Sequence, residues 1–279
     1  MGVTILVTGA TGNVGRLVVD HLVANGAQHV RALTNNPAKA ALPAEVEVVQ
    51  GYVGRLETLP DALAGVERLY LAPLPRTVRE VLAMAKQAGV QRVVALSSSD
   101  ADNEAAGDPN TWHYYAVERA VEDSGMPWTH LRPGEFMTNT FMWADQIRTT
   151  GVVRAAYANA ATAVIDLDDI AAVAARVILD DGHYGRRYLL TGPEAVKRVD
   201  LVRQIGRAIG RDLRYEELSY EEALKELEST MGEYAAWYLD GMNWLVDHPQ
   251  PVSPWFERIT GSRGTSFAEW ARRNASTFM

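Results

Sequence analysis

A glycine-rich turn between an apolar run and an amphipathic segment places the strongest constraint on the fold. Residues 4–9, TILVTG, form a short apolar run that ends at a glycine, as a buried parallel strand does. The chain then reads GATGNVG over residues 9–15, the pattern GxxGxxG, and continues with apolar residues at helical spacing over 16–26. A second apolar run, HVRALT, follows at 29–34. This order predicts a βαβ unit with a glycine turn at its first strand–helix junction.

The chemistry of a dinucleotide site requires glycines at such a junction. Without side chains, the backbone turns tightly and approaches a pyrophosphate group closely. The N-terminus of the following helix adds unpaired N–H groups and the positive end of the helix dipole. The alternative is that these glycines only make a tight turn between a strand and a helix.

The rest of the first half repeats the alternation of strand and helix. Further strands are predicted at 45–51, 68–73, 92–99 and 128–134, and helices lie between them, notably at 76–89 and 116–125. This rhythm predicts an α/β fold with a Rossmann-like, doubly wound parallel sheet, whose ligands bind beyond the carboxyl ends of the strands.

The rhythm changes after residue 134. Helical patterns at 137–149 and 168–182, a strand at 186–192 and a mostly helical tail from 199 follow. We therefore predict a nucleotide-binding core over 1–134. Residues 135–279 are predicted to form small, mostly helical, substrate-binding cap elements that are interleaved with the core and are not a separate domain.

Charge and composition exclude several classes of partner. The formal net charge is -8 and no basic block stands out, so direct binding of nucleic acid is not expected. There are no cysteines, which excludes disulfides and thiol chemistry and favours a cytoplasmic protein. No apolar run is long enough for a membrane span, and the histidines show no metal-ligand spacing with carboxylates. We expect neither a membrane nor a metal partner.

Several motifs in one order resemble the NmrA-like atypical short-chain dehydrogenase/reductases. The motifs are TGATGNVG, the SSS that follows the strand at 92, SGMPWTHLRPGEFMTN, DLDDIAAVAA and YLLTGPEA. The resemblance covers nearly the whole chain. It implies a Rossmann fold, an NAD(P) cofactor, and either a reductase or a redox-sensing role.

The resemblance also implies the residues of the site. The pyrophosphate would be wrapped by Gly9, Thr11, Gly12, Asn13, Val14 and Gly15. Ala72 and Pro73 would lie along the cofactor, and Ser97 and Ser98 would lie beside the nicotinamide. Tyr114 and Glu118 take the places of the Tyr and Lys of the YxxxK motif, so that this chain has YxxxE.

The carboxylate in place of the lysine changes the expected chemistry. In the YxxxK site the lysine holds the nicotinamide ribose and lowers the pKa of the tyrosine. A carboxylate one helical turn away raises that pKa, so Tyr114 is expected to be a poor proton relay, although Glu118 can still accept hydrogen bonds from the ribose. His113 is either an alternative proton donor or a packing and capping residue. The catalytic candidates are His113, Tyr114 and Ser97.

The choice between NAD and NADP stays open. Relatives commonly carry an arginine after the second strand, whereas this chain reads TNNP over 34–37, with Lys39 as the nearest cation in sequence. No acidic residue is present there to bind a free ribose diol. The family pattern favours NADP, and Thr34, Asn35 and Lys39 are the candidate contacts.

The substrate is expected to be a small aromatic or quinone-like molecule. Phe136, Met137 and Trp143 follow a strand end and line either a substrate pocket or the core. Reduction of a simple ketone needs a good acid, which this site lacks, whereas a quinone delocalises the incoming charge. A tailoring step on a polyketide-type aromatic, with oxygen, is a further variant. The competing hypothesis is a non-catalytic NAD(P)-binding redox sensor that acts through a protein partner.

Overall fold

The computed structural model describes residues 2–104 and 114–279. The strands are β1 (Thr4–Val7), β2 (His29–Thr34), β3 (Glu47–Gln50), β4 (Arg68–Leu71), β5 (Arg92–Leu96), β6 (Trp128–Pro133), β7 (Val152–Ala155), β8 (Ala161–Thr162), β9 (Arg186–Leu190), β10 (Val196–Lys197) and β11 (Arg214–Glu217). The helices are α1 (Asn13–Ala24), α2 (Leu59–Leu63), α3 (Val78–Gln87), α4 (Ala101–Glu104), α5 (Tyr114–Asp123), α6 (Ala144–Thr150), α7 (Leu167–Leu179), α8 (Arg198–Ile209), α9 (Tyr220–Met231), α10 (Tyr234–Asp247), α11 (Trp255–Thr260) and α12 (Phe267–Arg273). Within these ranges no helix is both long enough and apolar enough to cross a membrane.

A parallel sheet in the order β3-β2-β1-β4-β5-β6-β9 forms the centre of the first part of the chain. The strand order reverses between β1 and β4, so the connections that leave these two strands diverge. Such a switch point creates a crevice at the carboxyl ends of the strands, where doubly wound proteins bind nucleotides. The predicted Rossmann-like α/β fold is confirmed.

Helices cover both faces of this sheet, which explains why β1, β4 and β5 are nearly continuous apolar runs. One face packs on α2, α3 and α5 through a buried cluster that includes Leu63, Leu69, Leu82 and Val117. The other face carries α1 and α7, which pack against each other, and α7 also contacts β4, β5 and β6.

The chain divides into two compact units. The first contains residues up to Gly134 together with Leu167–Leu190 and Trp255–Ser262. The second contains Glu135–Asp166, Thr191–Pro254 and Arg263–Met279. The segments 167–190 and 255–262, which the sequence pattern grouped with the cap elements, therefore belong to the unit of the large sheet.

The second unit has its own core and two small sheets. Its buried cluster includes Trp143, Ile147, Phe267, Trp270 and Phe278. In it β7 pairs with β11 in parallel, and β8 pairs with β10 in antiparallel orientation. The sequence pattern did not predict these short strands, because each is too short to show a period of its own.

The C-terminal end of α7 is held by arginines from the first residues of β4 and β5. Arg68 Nη1 donates to the carbonyls of Ile178 and Leu179 at 2.7 and 2.8 Å, and Arg92 Nη1 donates to the carbonyl of Asp180 at 2.7 Å. The last carbonyls of a helix have no partner within the helix, so these donors satisfy them. The contacts fix α7 against the start of the sheet.

The histidine of β6, His130, is buried among apolar and aromatic side chains. The His130 ring is fully buried and stacks on Trp128 with ring centroids 4.5 Å apart. Among the described residues neither ring nitrogen has a hydrogen-bond partner. Burial lowers the pKa of His130 to about 4, although the nearby Glu118 and Glu122 act in the opposite direction. The folded state therefore holds this imidazole neutral near neutral pH.

We expect His130 to reduce stability as the pH falls. The unfolded chain binds a proton at this residue below about pH 6.5, whereas the folded chain does so only near its lowered pKa, so protonation favours unfolding. Between about pH 6.5 and 5 this coupling costs about 2 kcal/mol of unfolding free energy. Urea unfolding of wild type and His130→Leu at a series of pH values measures this loss of unfolding free energy.

The expected result is a smaller loss of stability on acidification in His130→Leu than in wild type. His29→Gln, at an exposed histidine of β2, is the matched control and should keep the wild-type slope. Equal slopes for wild type and His130→Leu over this interval would contradict the assignment.

Candidate functional site

The turn between β1 and α1 has a geometry that requires two of its glycines. Gly9 has a φ of +62°, and the N–H of Gly12 donates to the Gly9 carbonyl at 2.8 Å to close the turn. A Cβ on Gly15 would lie 2.2 Å from that carbonyl oxygen, which no side chain tolerates. A Cβ on Gly12 would lie 3.2 Å from the same oxygen, so this position is the most open of the three.

The N-terminus of α1 fits an anionic group. Gly12 is the N-cap residue and provides no side-chain hydrogen bond, and the first turn contains no acidic residue. The leading N–H groups of this helix therefore receive no capping acceptor from Gly12, and no carboxylate of the first turn opposes an anion. These features match the pyrophosphate contacts predicted for Gly9 to Gly15.

Threonine side chains tie the ends of three neighbouring strands together. Thr8 Oγ1 accepts a hydrogen bond from the N–H of Ala72 at 2.8 Å and donates to the carbonyl of Tyr70 at 3.2 Å. Thr11 Oγ1 and Thr34 Oγ1 lie 3.1 Å apart and share a hydrogen bond. The predicted contacts Thr11, Thr34 and Ala72 thus meet at the carboxyl ends of β1, β2 and β4. Sequence reasoning missed Thr8, because it looks like an ordinary strand residue.

A guanidinium lies at the end of β2, where the sequence showed only Lys39 nearby. Arg55 Nη2 donates to Asn35 Oδ1 at 2.8 Å, and a backbone bridge links Arg55 to Tyr52. Twenty residues separate Arg55 from Asn35 in the chain, which hid the contact from sequence analysis. Lys39 ends a short 3-10 turn that begins at Pro37.

The carboxylate of Glu118 is buried and bonded to other side chains of the protein. It is 1% exposed on α5. Its Oε1 accepts from Ser97 Oγ at 2.5 Å and from Arg132 Nε at 2.8 Å. Its Oε2 accepts from Arg132 Nη2 at 2.7 Å, and Arg187 Nε lies 3.4 Å away. Arg132 continues the network to both carboxylate oxygens of Asp102 at 2.7 and 2.9 Å.

This network corrects the roles expected for Glu118 and Ser97. Burial alone raises the pKa of Glu118, but hydrogen bonds from Arg132 and Ser97 and nearby positive charge outweigh it, so the pKa lies below its usual value. The carboxylate is ionised, and both of its oxygens already have donors, so it is not available to ribose hydroxyls. Ser97 is 3% exposed and donates a hydrogen bond to the Glu118 carboxylate, so its hydroxyl positions Glu118.

The same network changes the argument about Tyr114. The sequence predicted that a bare carboxylate opposes ionisation of this phenol, whereas the charge of Glu118 is compensated by Arg132. Tyr114 is the first residue of α5 and is half-buried. Burial is the main cause that raises the pKa of the Tyr70 hydroxyl, and the nearby Tyr114 raises it further. His113, the other predicted proton donor, lies outside the described residues.

Three ionisable side chains near α5 have metal-ligand geometry but are already neutralised. Ligand atoms of Glu118, Glu122 and His130 lie within 4.8 Å of one another. Arg187 contacts both carboxylates, and Arg132 binds Glu118 with two nitrogens. Because two guanidinium groups supply the positive charge, we interpret this cluster as a buried ion-pair network.

Two of the three predicted substrate residues belong to the core. Met137 is fully buried and Trp143 is 3% exposed, and both pack in the main hydrophobic cluster of the second unit. The ring of Trp143 also faces the Arg198 guanidinium at 5.2 Å. Apolar side chains that follow a strand end show the same sequence pattern whether they pack in a core or line a ligand pocket. Packing in the core explains Met137 and Trp143. Phe136 is only partly buried and stays a predicted contact.

The glycine turn, the open helix N-terminus and the switch point between β1 and β4 together define a doubly wound nucleotide-binding fold. A family model described as NAD(P)H-binding matches residues 9–181, and the chain belongs to this family. The predicted membership of the NAD(P)-binding Rossmann family and the predicted NAD(P) cofactor are confirmed.

Two characterised relatives match almost the whole chain. The (4-alkanoyl-5-oxo-2,5-dihydrofuran-3-yl)methyl phosphate reductase of Streptomyces griseus subsp. griseus is 38% identical, with 98% of this chain and 99% of the relative covered. The NAD(P)H azoreductase of Xenophilus azovorans is 32% identical, again with 98% of this chain and 99% of the relative covered.

A solved structure of a further NADPH-dependent oxidoreductase has a similar fold. The NADPH-dependent quinone oxidoreductase of Escherichia coli, complexed with NADPH, has a TM-score of 0.82 at 28% identity, with 97% of this chain and 99% of that chain covered. This chain is accordingly an NAD(P)-dependent oxidoreductase.

We expect Gly12→Val to abolish nucleotide binding without unfolding the protein. Among the described residues a Cβ at position 12 meets the Gly9 carbonyl oxygen at 3.2 Å, and the valine side chain blocks the approach to the N-terminus of α1. Affinity for NADPH and NADH should fall on the order of a hundredfold, or about 2.8 kcal/mol. Isothermal titration calorimetry measures the affinity, and circular dichroism follows the melting temperature.

Ala24→Val, at an exposed position at the far end of the same helix, adds similar bulk and should leave nucleotide binding unchanged. Unaltered binding by Gly12→Val would show that the pyrophosphate does not lie against this turn.

Proposed function

We propose that this protein transfers a hydride from NADPH to a conjugated, electron-poor small molecule such as a quinone or a conjugated enone. The observation that carries the proposal is the replacement of the YxxxK lysine by Glu118. This residue is buried, ionised and held by Arg132, so the site has no cation at that position to assist a tyrosine proton relay.

The lack of that relay restricts the kind of acceptor. When bound, the reduced nicotinamide supplies the hydride. Hydride addition to an isolated ketone leaves an alkoxide, which needs a well-placed acid of matched pKa. Hydride addition to a conjugated bond spreads the charge onto a carbonyl or a ring, so solvent can deliver the proton later. A site without the Tyr-Lys relay therefore suits conjugated acceptors.

The substrates named for the relatives share this property. The Streptomyces griseus reductase is named for a dihydrofuranone with both a ring carbonyl and an alkanoyl group, and the other two proteins are named for azo compounds and quinones. In each class, conjugation disperses the charge that hydride transfer creates. This common chemistry supports the proposal for the present chain. A polyketide tailoring step with oxygen has no support in these observations and stays a prediction.

We further propose a preference for NADPH. Arg55 lies against Asn35 at the end of β2, where the adenine ribose of a dinucleotide binds in doubly wound folds. A guanidinium there can pair with a 2′-phosphate through two hydrogen bonds. Asn35, Thr34 and Lys39 are the other proposed contacts of this end of the cofactor.

We expect Arg55→Gln to weaken NADPH binding about tenfold or more and to leave NADH binding nearly unchanged. Only NADPH carries the phosphate that the guanidinium would bind, and a charge-assisted pair contributes about 1.5–3 kcal/mol. Calorimetric titration with both nucleotides measures the effect.

Arg79→Gln, at an exposed arginine of α3 that pairs with Asp123, is the matched control and should change neither affinity. An equal effect of Arg55→Gln on both nucleotides would show that Arg55 does not face the 2′-position.

The proposed acceptor class is tested by the loss of reduced-nicotinamide absorbance over a panel of acceptors. We expect turnover with a quinone, an acyl dihydrofuranone and an azo dye, and little with saturated ketones. Tyr114→Phe should keep its rate on the quinone within about fivefold, because removal of a working general acid typically costs on the order of a hundredfold.

Tyr115→Phe, at the exposed neighbour of Tyr114 on α5, is the control for helix perturbation. A hundredfold loss of the reduction rate in Tyr114→Phe, with unchanged NADPH affinity, would show that the Tyr114 phenol is the general acid. The argument for a conjugated acceptor would then fail. Tight NADPH binding without turnover of any acceptor would favour the redox-sensor hypothesis.

A further inference from the structure

The helix α10 presents a row of largely exposed aromatic side chains on one face. Tyr234, Trp237 and Trp244 are 52%, 59% and 63% exposed. The opposite face of the same helix is buried through Ala235, Leu239 and Met242. Tryptophan is among the residues whose exposure most needs a reason, because its large apolar surface costs free energy in water.

Gly241 lies on the same exposed face and has no internal reason to be glycine. It is in the middle of α10, where glycine costs about 0.5–1 kcal/mol relative to alanine. A Cβ at this position would meet no atom of the described residues within 4 Å, and the φ of Gly241 is not positive. Neither packing within the chain nor backbone conformation explains this glycine, but close approach of another molecule would.

The four positions follow the spacing of a helix–helix seam. Tyr234, Trp237, Gly241 and Trp244, which we call the α10 stripe, are separated by steps of three, four and three residues. This is the a/d pattern by which one helix packs along another. A ligand pocket or a flat lipid surface does not require this period, whereas a second helix does.

We propose that the α10 stripe packs against the α10 stripe of a second copy of this chain in an antiparallel, two-fold symmetric dimer. A two-fold interface brings the same patch of both subunits together and therefore needs a self-complementary surface. The stripe meets this requirement because it alternates bulky rings with a notch at Gly241.

An antiparallel register exists that pairs every member of the stripe. In that register Tyr234 faces Trp244 of the partner subunit, and Trp237 faces Gly241 of the partner subunit, and symmetry repeats both contacts. Aromatic rings at the two ends contact each other, and the glycine notch leaves room for the indole in the middle. Trp244 is already oriented by the parallel ring of His248, with ring centroids 3.6 Å apart.

Charge and area define the expected strength of the contact. Glu233, Asp240 and Asp247 flank one side of the stripe, so two copies bring like charges together, and the net charge of -8 adds to the repulsion. The same charges oppose an anionic membrane surface. A single pair of helices buries less than the roughly 1,200–2,000 Å² of stable interfaces. The dimer should be weak and should strengthen as salt screens the repulsion.

Sedimentation velocity on the full chain tests this proposal. We expect reversible dimerisation with a dissociation constant on the order of 10 μM, which becomes smaller as sodium chloride is raised. Gly241→Leu fills the notch and should raise the dissociation constant at least about tenfold. Asn243→Leu adds the same side chain at an exposed position outside the stripe and should leave it unchanged.

NADPH affinity should be the same for wild type and both variants, and neither variant should unfold at a lower urea concentration than wild type, which separates a lost interface from a lost fold. Gly241→Leu should be somewhat more stable, because leucine has a higher helix propensity than glycine. A wild-type chain that stays monomeric at about 100 μM in high salt overturns the proposal. So does a dimer that Gly241→Leu does not weaken. Binding to anionic vesicles, or a changed KM for a quinone, in Gly241→Leu without any self-association in wild type would assign the stripe to lipid or substrate and also overturn it.

Discussion

The close approach of Gly15 to the carbonyl of Gly9 is the constraint on which the site depends. It forces the chain to leave β1 and enter α1 within one turn, with the leading N–H groups of the helix beyond the carboxyl end of the strand. Thr8, directly before this turn, is bonded to the backbone of Tyr70 and Ala72, so the end of β4 is fixed to the same point. The turn therefore defines both walls of the switch-point crevice.

The buried Glu118 network is a second constraint, and it acts at the ends of β5 and β6. An ionised carboxylate at 1% exposure is stable only because Arg132 and Ser97 donate to both of its oxygens. Through these bonds α5, the end of β5 and the end of β6 are joined at one place. The polar groups that another reductase would direct at the ribose are here used to hold three elements of the fold together.

The sequence predicted the large sheet because its central strands are apolar runs that end at a glycine, a proline or a polar cluster. The prediction extended β5 to residue 99, whereas the strand ends at Leu96. The backbone N–H groups of Ser97 and Ser99 still donate to Leu131 and Pro133 in β6, so the chain stays beside β6 for these residues although the regular strand has ended. β11, with the polar sequence RYEE, was missed because its pairing with β7 depends on residues about sixty positions away.

In the candidate site, too, the local features were predicted and the contacts between distant residues were not. The glycine turn is local in sequence, and its residues were found. The contacts of Arg132 with Glu118 and of Arg55 with Asn35 join separate elements, and an arginine in a strand or loop carries no local sign of its partner. Met137 and Trp143 were assigned to a substrate because an apolar side chain near a strand end has the same pattern in a core and in a pocket.

The same long-range contacts determine how the YxxxE motif should be understood. A lysine at position 118 would place a third cation beside Arg132 and Arg187 in a buried site, and it would leave the Ser97 hydroxyl without its acceptor. The repulsion between a buried lysine and these two arginines would cost far more free energy than a hydrogen bond from the lysine to the ribose would contribute. Restoring YxxxK would therefore require changes at both arginines as well. The glutamate is one member of a set of mutually dependent residues, so a change at position 118 cannot be judged apart from Arg132, Arg187 and Ser97.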